Sequence, residues 1–383
     1  MTKYDVIIIG AGAAGLATAA VAVSRARRVA IIDMGQLPVR KVAISGGGRC
    51  NFTNAAAAAN RYFGKNPDFV RSAISRITPS DILAWAQHHN IKWVEKSSGQ
   101  YFAANGADSI VNALINDARG ADFIMNAPVS DVKYNDGKFF IKTMRGEFCA
   151  KSVIVATGGV SFPAVGVSDI GHKIAKQFGH KIIPVRPALC AIKTNIFPDD
   201  LAGISFDAEI KIGNEVIRDS MLITHFGIGG PAVYRATVRN LDDIHINIIP
   251  NADIYETLRK SKVINGRRSI STILSEYLPT RIAKWICNEQ KNIADYKDSE
   301  LRAISGKATN IVIPKCEIKL HSMQSAEVVR GGVDTDMISS KTMESKLQPG
   351  LFFAGEVLDI AGDLGGFNLH WAWVSGRIAG ENA

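Results

Sequence analysis

Near the N-terminus, Gly10-Ala11-Gly12-Ala13-Ala14-Gly15 has the spacing GxGxxG. A Val- and Ile-rich run at 4–9 precedes it. A run of small residues at 13–25 follows, and a second apolar run at 29–33 closes on Asp33. In that setting each glycine has a task. Gly10 permits a tight turn, Gly12 puts no Cβ in the path of a pyrophosphate, and Gly15 lets a helix pack close to a strand. The helix start offers unpaired N–H groups and a partial positive charge to phosphates. Asp33 is placed to accept from ribose hydroxyls, and an acid there disfavours a 2′-phosphate, so NADP fits poorly. A glycine turn without a ligand would leave Asp33 without a role.

Further clusters could touch a cofactor. Ser45-Gly46-Gly47-Gly48-Arg49-Cys50-Asn51 holds three successive glycines between hydrogen-bonding side chains, and such backbone can present N–H groups to an anion. Arg40 and Lys41 stand just before it, and Arg49 could neutralise a phosphate. Cys50 beside Arg49 has no partner cysteine and reads as a small packing thiol. Ala156-Thr157-Gly158-Gly159 ends a buried strand. Gly355-Glu356 ends the last one, with Glu356 placed for a sugar-like chain. Gly366-Phe367-Asn368-Leu369 opens a final helix, whose N-terminus could stabilise developing negative charge. Met34, next to Asp33, and Val129, at the start of a hairpin, complete the expected cofactor contacts. His225, among glycines, and His370 are the titratable candidates for acid–base work near neutral pH, with Asn368 as a third catalytic candidate.

The elements that must carry these residues follow from pattern. Residues 4–33 read as strand, helix and strand, which implies a parallel sheet. Residues 67–119 read as largely helical, with a helix start at Ser80-Asp81. A hairpin turns at Asp136-Gly137, and 151–156 and 350–354 read as buried strands. Short β-like pieces fill the stretch to about 249, and 253–305 reads as helical. The ends share the order strand, glycines, helix, and the middle does not. The expected organisation is a discontinuous nucleotide-binding domain at 1–188 and 336–383. A β-rich insertion occupies 189–250 and 306–335, with a helical piece at 251–305. The return of the chain at the C-terminus suits a long, two-ended cofactor, hence FAD rather than NAD. The arginines Arg25, Arg27 and Arg28 read as a solvated helix end.

Composition narrows the class. The chain has 383 residues, 46% of them hydrophobic, which suits two or three packed domains. A net charge of +9 permits attraction to anions without specifying nucleic acid. The five cysteines are widely spaced with no CxxC, which argues against a disulfide scaffold, a zinc ribbon or a dithiol centre and for a cytoplasmic protein. The apolar run 6–23 is broken by three glycines and reads as strand plus helix, not as a membrane span. No cluster with metal-ligand spacing is evident.

The segment Arg40 to Asn54, the run Gly350 to Trp373, Thr224 to Ala232 and Ala326 to Val333 together resemble the BaiN-like, aminoacetone-oxidase-like family of bacterial FAD-dependent oxidoreductases. The resemblance covers nearly the whole chain. It implies an α/β fold: a discontinuous, glutathione-reductase-like FAD-binding Rossmann domain with an inserted β-barrel-like domain carrying a helical subdomain. It also implies bound FAD and hydride transfer between flavin N5 and a small organic substrate, as an amine oxidase or as a reductase with NAD(P)H as the transient electron donor. Three positions depart from the family pattern: Gly229 stands in place of Ser, His370 in place of Gln, and Ser168-Asp169-Ile170-Gly171 in place of a GDG run. A small-molecule substrate, no nucleic-acid partner and no membrane are expected. The alternative is a flavin-dependent RNA-modifying protein, suggested by the positive charge and the basic run from Arg259-Lys260 to Arg267-Arg268.

Overall fold

The computed structural model describes residues 1–289 and 291–383. The chain divides into two compact units, Met1–Pro187 with Met323–Ala383, and Ala188–Ser322. The first is built on a seven-stranded sheet. β1 (Thr2–Ile9) lies between β2 (Val29–Ile32) and the strand Gly146–Val155, parallel to both. Helix α1 (Ala13–Ser24) connects β1 to β2. Every residue of β2 is buried, as strands covered on both faces must be. The apolar run at 6–23 is therefore a strand and a helix. Among the described residues no helix is long and apolar enough to cross a membrane.

The strand Gly146–Val155 has two partners along its length. Its first half pairs antiparallel with Lys138–Thr143, and its last residues, Val153–Val155, pair parallel with Leu351–Phe353. The return of the C-terminal segment to the sheet is thus a backbone ladder. The hairpin turns where expected, with Asn135 opposite Lys138 and both Asp136 and Gly137 at positive φ.

Four differences from the sequence reading have physical causes. The stretch 67–119 is largely helical as expected, but Trp93–Lys96 and Gln100–Ala103 interrupt it and form an antiparallel sheet with Asn51–Asn54, where tertiary pairing overrides local preference. Its helix Pro79–His88 begins one residue earlier than Ser80-Asp81, on a capping box between Thr78 and Asp81. Residues 323–335 lie in the first unit, because Val328–Val333 pairs with Ile182–Ala188 there. Finally, Arg25 is more than a solvated helix end. Its guanidinium donates to the carbonyls of Gly380 and Ala383, fastening the C-terminal helix Phe367–Asn382.

The second unit is a seven-stranded antiparallel sheet, in the order Ile311–Ile313, Ile244–Asn247, Ser205–Ile212, Glu215–Thr224, Gly227–Gly229, Ile192–Lys193 and Lys319–Leu320. The helical segment, from Ile254–Ile264 to Asp298–Thr309, is inserted between two adjacent strands of that sheet. Leu258, Ile270, Ile273, Ile282 and Leu301 join Ile210, Ile223 and Ile246 of the sheet in one shared core.

Candidate functional site

The glycine fingerprint sorts into two kinds of position. A Cβ at Gly10 would lie 2.3 Å from the Ala156 carbonyl oxygen, and one at Gly15 would lie 1.9 Å from that of Gly10. Those two glycines are required by the protein's own packing. A Cβ at Gly12 would meet nothing within 4 Å. Gly12 caps α1 with extended backbone and no side-chain cap, so the N–H groups of Ala13 and Ala14 open onto the space that Gly12 leaves. An anion fits there.

Asp33 follows β2. Its carboxylate accepts from the Ala11 N–H at 2.7 Å and the Gly35 N–H at 2.6 Å, and lies 3.5 Å from the Arg40 guanidinium. The acid thus ties the glycine loop to the end of β2 before any ribose arrives, and its remaining lone pairs stay available. The Ala127 N–H donates to the Asp33 carbonyl, which brings the chain leading into Val129 beside the same loop. Met34 is exposed next to it.

After the helical turn at Arg40, Ser45 is extended and Gly46, Gly47 and Gly48 all take positive φ. A Cβ at Gly47 or Gly48 would meet nothing within 4 Å. Arg49 lies over the Phe102 ring. Asn51 sits 2.8 Å from the Gln100 amide. Cys50 is fully buried and its thiol is pushed up to about 12 by burial, so it is a packing group rather than a thiolate.

Lys41 and Glu356 meet across the first unit. The ammonium lies 2.9 Å from the carboxylate and donates to the Ser161 hydroxyl at 2.8 Å, and the Val329 N–H donates to the same carboxylate at 3.0 Å. Gly159 packs on that carboxylate, where a Cβ would come within 2.7 Å. Among the described residues the buried Thr157 hydroxyl has no partner, and Gly158 beside it has open space in front of it. Gly355 holds its N–H on the Ser375 hydroxyl.

The C-terminal helix starts at Phe367 behind Gly366, also without a side-chain cap. The Asn368 amide is engaged twice with Gly362, accepting from its N–H at 2.8 Å and donating to its carbonyl at 2.9 Å. Asn368 therefore shapes the loop in front of the helix. His370 is fully buried, its Nδ1 2.8 Å from the Thr53 hydroxyl, and burial pushes its pKa down to about 4. It is neutral at physiological pH, which corrects its reading as a proton donor: the ring packs one turn behind the helix start. His225 lies in the second unit, on an exposed turn.

The sequence reading missed Ser161, which joins Lys41 to Glu356. It also missed Asp363, fully buried against Arg61, and Asp359, which accepts from the Lys65 and Gly331 N–H groups. Both aspartates stand in the C-terminal motif run, but nothing in their spacing marks them as loop anchors. Among the described residues no group of side chains could hold a metal ion.

The open position at Gly12, the uncapped start of α1, the orphan Thr157 hydroxyl and the open glycines at 47 and 48 together fit a long dinucleotide. The protein is an FAD-dependent oxidoreductase. The chain belongs to the HI0933-like protein Rossmann domain family, whose pattern matches residues 4–382. It is 35% identical to the ribosomal RNA dihydrouridine synthase of Escherichia coli (strain K12), over 98% of this chain and 96% of that one. It is 37% identical to the protein of that name from Haemophilus influenzae, over 98% and 97%. Identity to the 3-dehydro-bile acid delta(4,6)-reductase of Clostridium scindens is 27%, over 98% of each. Among solved structures, the open conformation of a flavocytochrome c3 fumarate reductase matches with a TM-score of 0.50 at 16% identity, over 100% of this chain and 78% of that one.

Proposed function

We propose that this protein reduces uridine to dihydrouridine in ribosomal RNA. The observation that carries the reading is the identity of 35% and 37% to two ribosomal RNA dihydrouridine synthases along 98% of the chain, so that both units are included. The net charge of +9 suits a polyanionic substrate. This reading reverses the sequence expectation of a small substrate and no nucleic acid. The chemistry agrees with the reductase relative: uracil and a 3-oxo-4,6-diene both present a C=C bond conjugated to a carbonyl. In uracil C6 is β to the C4 carbonyl, so C6 takes a hydride and C5 a proton.

FAD, when bound, supplies the hydride-transfer chemistry. The chain's own residues hold it. The N–H groups at the start of α1 would face the phosphates, Asp33 would accept from the ribose, and Gly46 to Gly48 would offer backbone donors. Lys41, Glu356 and Ser161 form a fixed polar cluster for the middle of the molecule. The free N–H groups behind Gly366 stabilise negative charge at the far end. NAD(P)H is the proposed electron donor. Of the two histidines considered for proton transfer, His225 is the exposed one and the proposed acid.

The test is the dihydrouridine content of ribosomal RNA from cells with and without the gene, read by mass spectrometry. Loss of the mass of two hydrogens at a defined uridine, restored by holoenzyme with a reductant, is expected. Unchanged RNA, with turnover of a small conjugated ketone instead, would overturn the reading.

A further inference from the structure

We propose that one edge of the second unit is a nucleotide-contact site, in which Phe226 stacks an unpaired base while Lys193 and Lys319 hold the adjoining phosphate. The inference deepens the RNA reading above and rests on it.

The lysines come first. Lys193 and Lys319 are direct partners across the antiparallel pair Ile192–Lys193 and Lys319–Leu320. Partners in that register project to one face with Cβ atoms about 5 Å apart, and like charges there destabilise the pair. Both are exposed, and among the described residues neither reaches a carboxylate at ion-pair distance. Two facing cations with no counter-ion are a cost that a bound phosphate relieves.

The ring comes second. On its other side Lys193 is paired with Gly227, which follows the turn His225-Phe226. Phe226 is 43% exposed and lies against the His321 ring, the centroids 4.4 Å apart. The turn is held in place. The Thr194 N–H donates to the Phe226 carbonyl at 3.1 Å, and the His321 N–H donates to the Ala191 carbonyl at 2.8 Å. Gly227 presses on the neighbouring strand so closely that a Cβ would lie 2.2 Å from the Ile192 oxygen. The ring is therefore presented on a rigid support, which limits the ordering cost of binding.

A single exposed aromatic or a single surface lysine is commonplace. Their juxtaposition is the chemistry of a nucleotide, a π face beside a phosphate. Base stacking on such rings tolerates any base, and the phosphate contact supplies salt-dependent affinity. An acidic peptide would use the lysines but not the ring.

The experiment measures binding of a fluorescein-labelled oligouridylate to FAD-loaded protein at several salt concentrations. The variants are Phe226→Ala, Phe226→Leu, Phe226→Tyr and Lys193→Glu, each checked for flavin absorbance and thermal unfolding. Phe226→Ala and Phe226→Leu are expected to weaken binding by about tenfold or more, with Phe226→Tyr within about threefold of the parent. Lys193→Glu creates an ion pair with Lys319. It is expected to unfold no lower than the parent while binding weakens and the salt slope falls by roughly one or more. Parent-like binding by Phe226→Ala, or retention by Phe226→Leu, overturns the stacking site while uridine reduction stands. A parent protein that binds no oligouridylate and reduces no uridine overturns the RNA reading itself.

Discussion

Two helices of the first unit begin in the same way and serve opposite ends. Helix α1 starts behind Gly12 and the C-terminal helix behind Gly366, each without a side-chain cap. In front of Gly12 the space is open. Gly366, at φ +96°, is enclosed: a Cβ there would lie 2.5 Å from the Thr53 oxygen and 2.7 Å from the Asn51 side-chain amide. The same local device leaves its glycine open at one end and clamped at the other. What clamps Gly366 is the strand Asn51–Asn54, which runs alongside the first turns of the second helix, with Thr53 on the His370 ring and the Phe52 carbonyl on Trp373. The helices then close on each other. A Cβ at Gly376 would lie 2.3 Å from the Ala14 oxygen, and one at Gly380 would lie 2.5 Å from the Thr18 oxygen.

The most severe way to break this arrangement is Gly376→Val. The branched side chain collides with the backbone of α1, and a loss of about 4 kcal/mol or more is expected, read as a fall in the unfolding midpoint. A parent-like midpoint would mean that the two helices slide apart freely.

The clamped end also has a pH signature. In the fold His370 stays neutral down to about 4, whereas in the unfolded chain it takes a proton near its ordinary 6.5. The unfolded state binds more protons between those values. Stability is therefore complete above about 6.5 and falls as pH drops towards 4, by roughly 3 kcal/mol from this ring. His172 and His180, also shifted down by burial, add in the same direction. His370→Gln should flatten the pH dependence by the share of His370, and denaturant midpoints at a series of pH values decide it. A variant that falls as steeply as the parent would show that the ring is not the titrating group.

At the open end, Gly12→Ala tests the opposite expectation. Its extended backbone accepts alanine, so the fold should unfold within about 0.5 kcal/mol of the parent. FAD binding should weaken by about tenfold or more, measured by flavin fluorescence, because the Cβ enters the phosphate path. Undiminished affinity would place the pyrophosphate elsewhere. The smallest effect belongs to Lys41→Met. Lys41 is 39% exposed on its side chain, so losing the Glu356 ion pair should cost below about 1 kcal/mol. A change in flavin affinity exceeding that in stability would assign the pair to the cofactor.

Sequence alone determined the first strand–helix–strand unit, because its information is local. GxGxxG, the apolar runs around it and the acid closing the second strand are dictated by backbone clearance and strand burial within 33 residues. The hairpin at Asp136-Gly137 was legible for the same reason, since both central residues must take positive φ. The role of Asn368 was not legible. Whether an amide faces a ligand or folds back on Gly362 depends on a loop whose shape the local sequence does not set. Its sequence neighbours mark His370 as a group for acid–base work near neutral pH; in the fold it is buried against Thr53, 317 residues away, and stays neutral there. Ser161, Asp359 and Asp363 have ordinary neighbours in sequence, and become anchors only when distant segments converge on them. Local conformational rules fix where a dinucleotide can begin to bind. Burial and long-range pairing alone decide which polar side chains remain free to do chemistry.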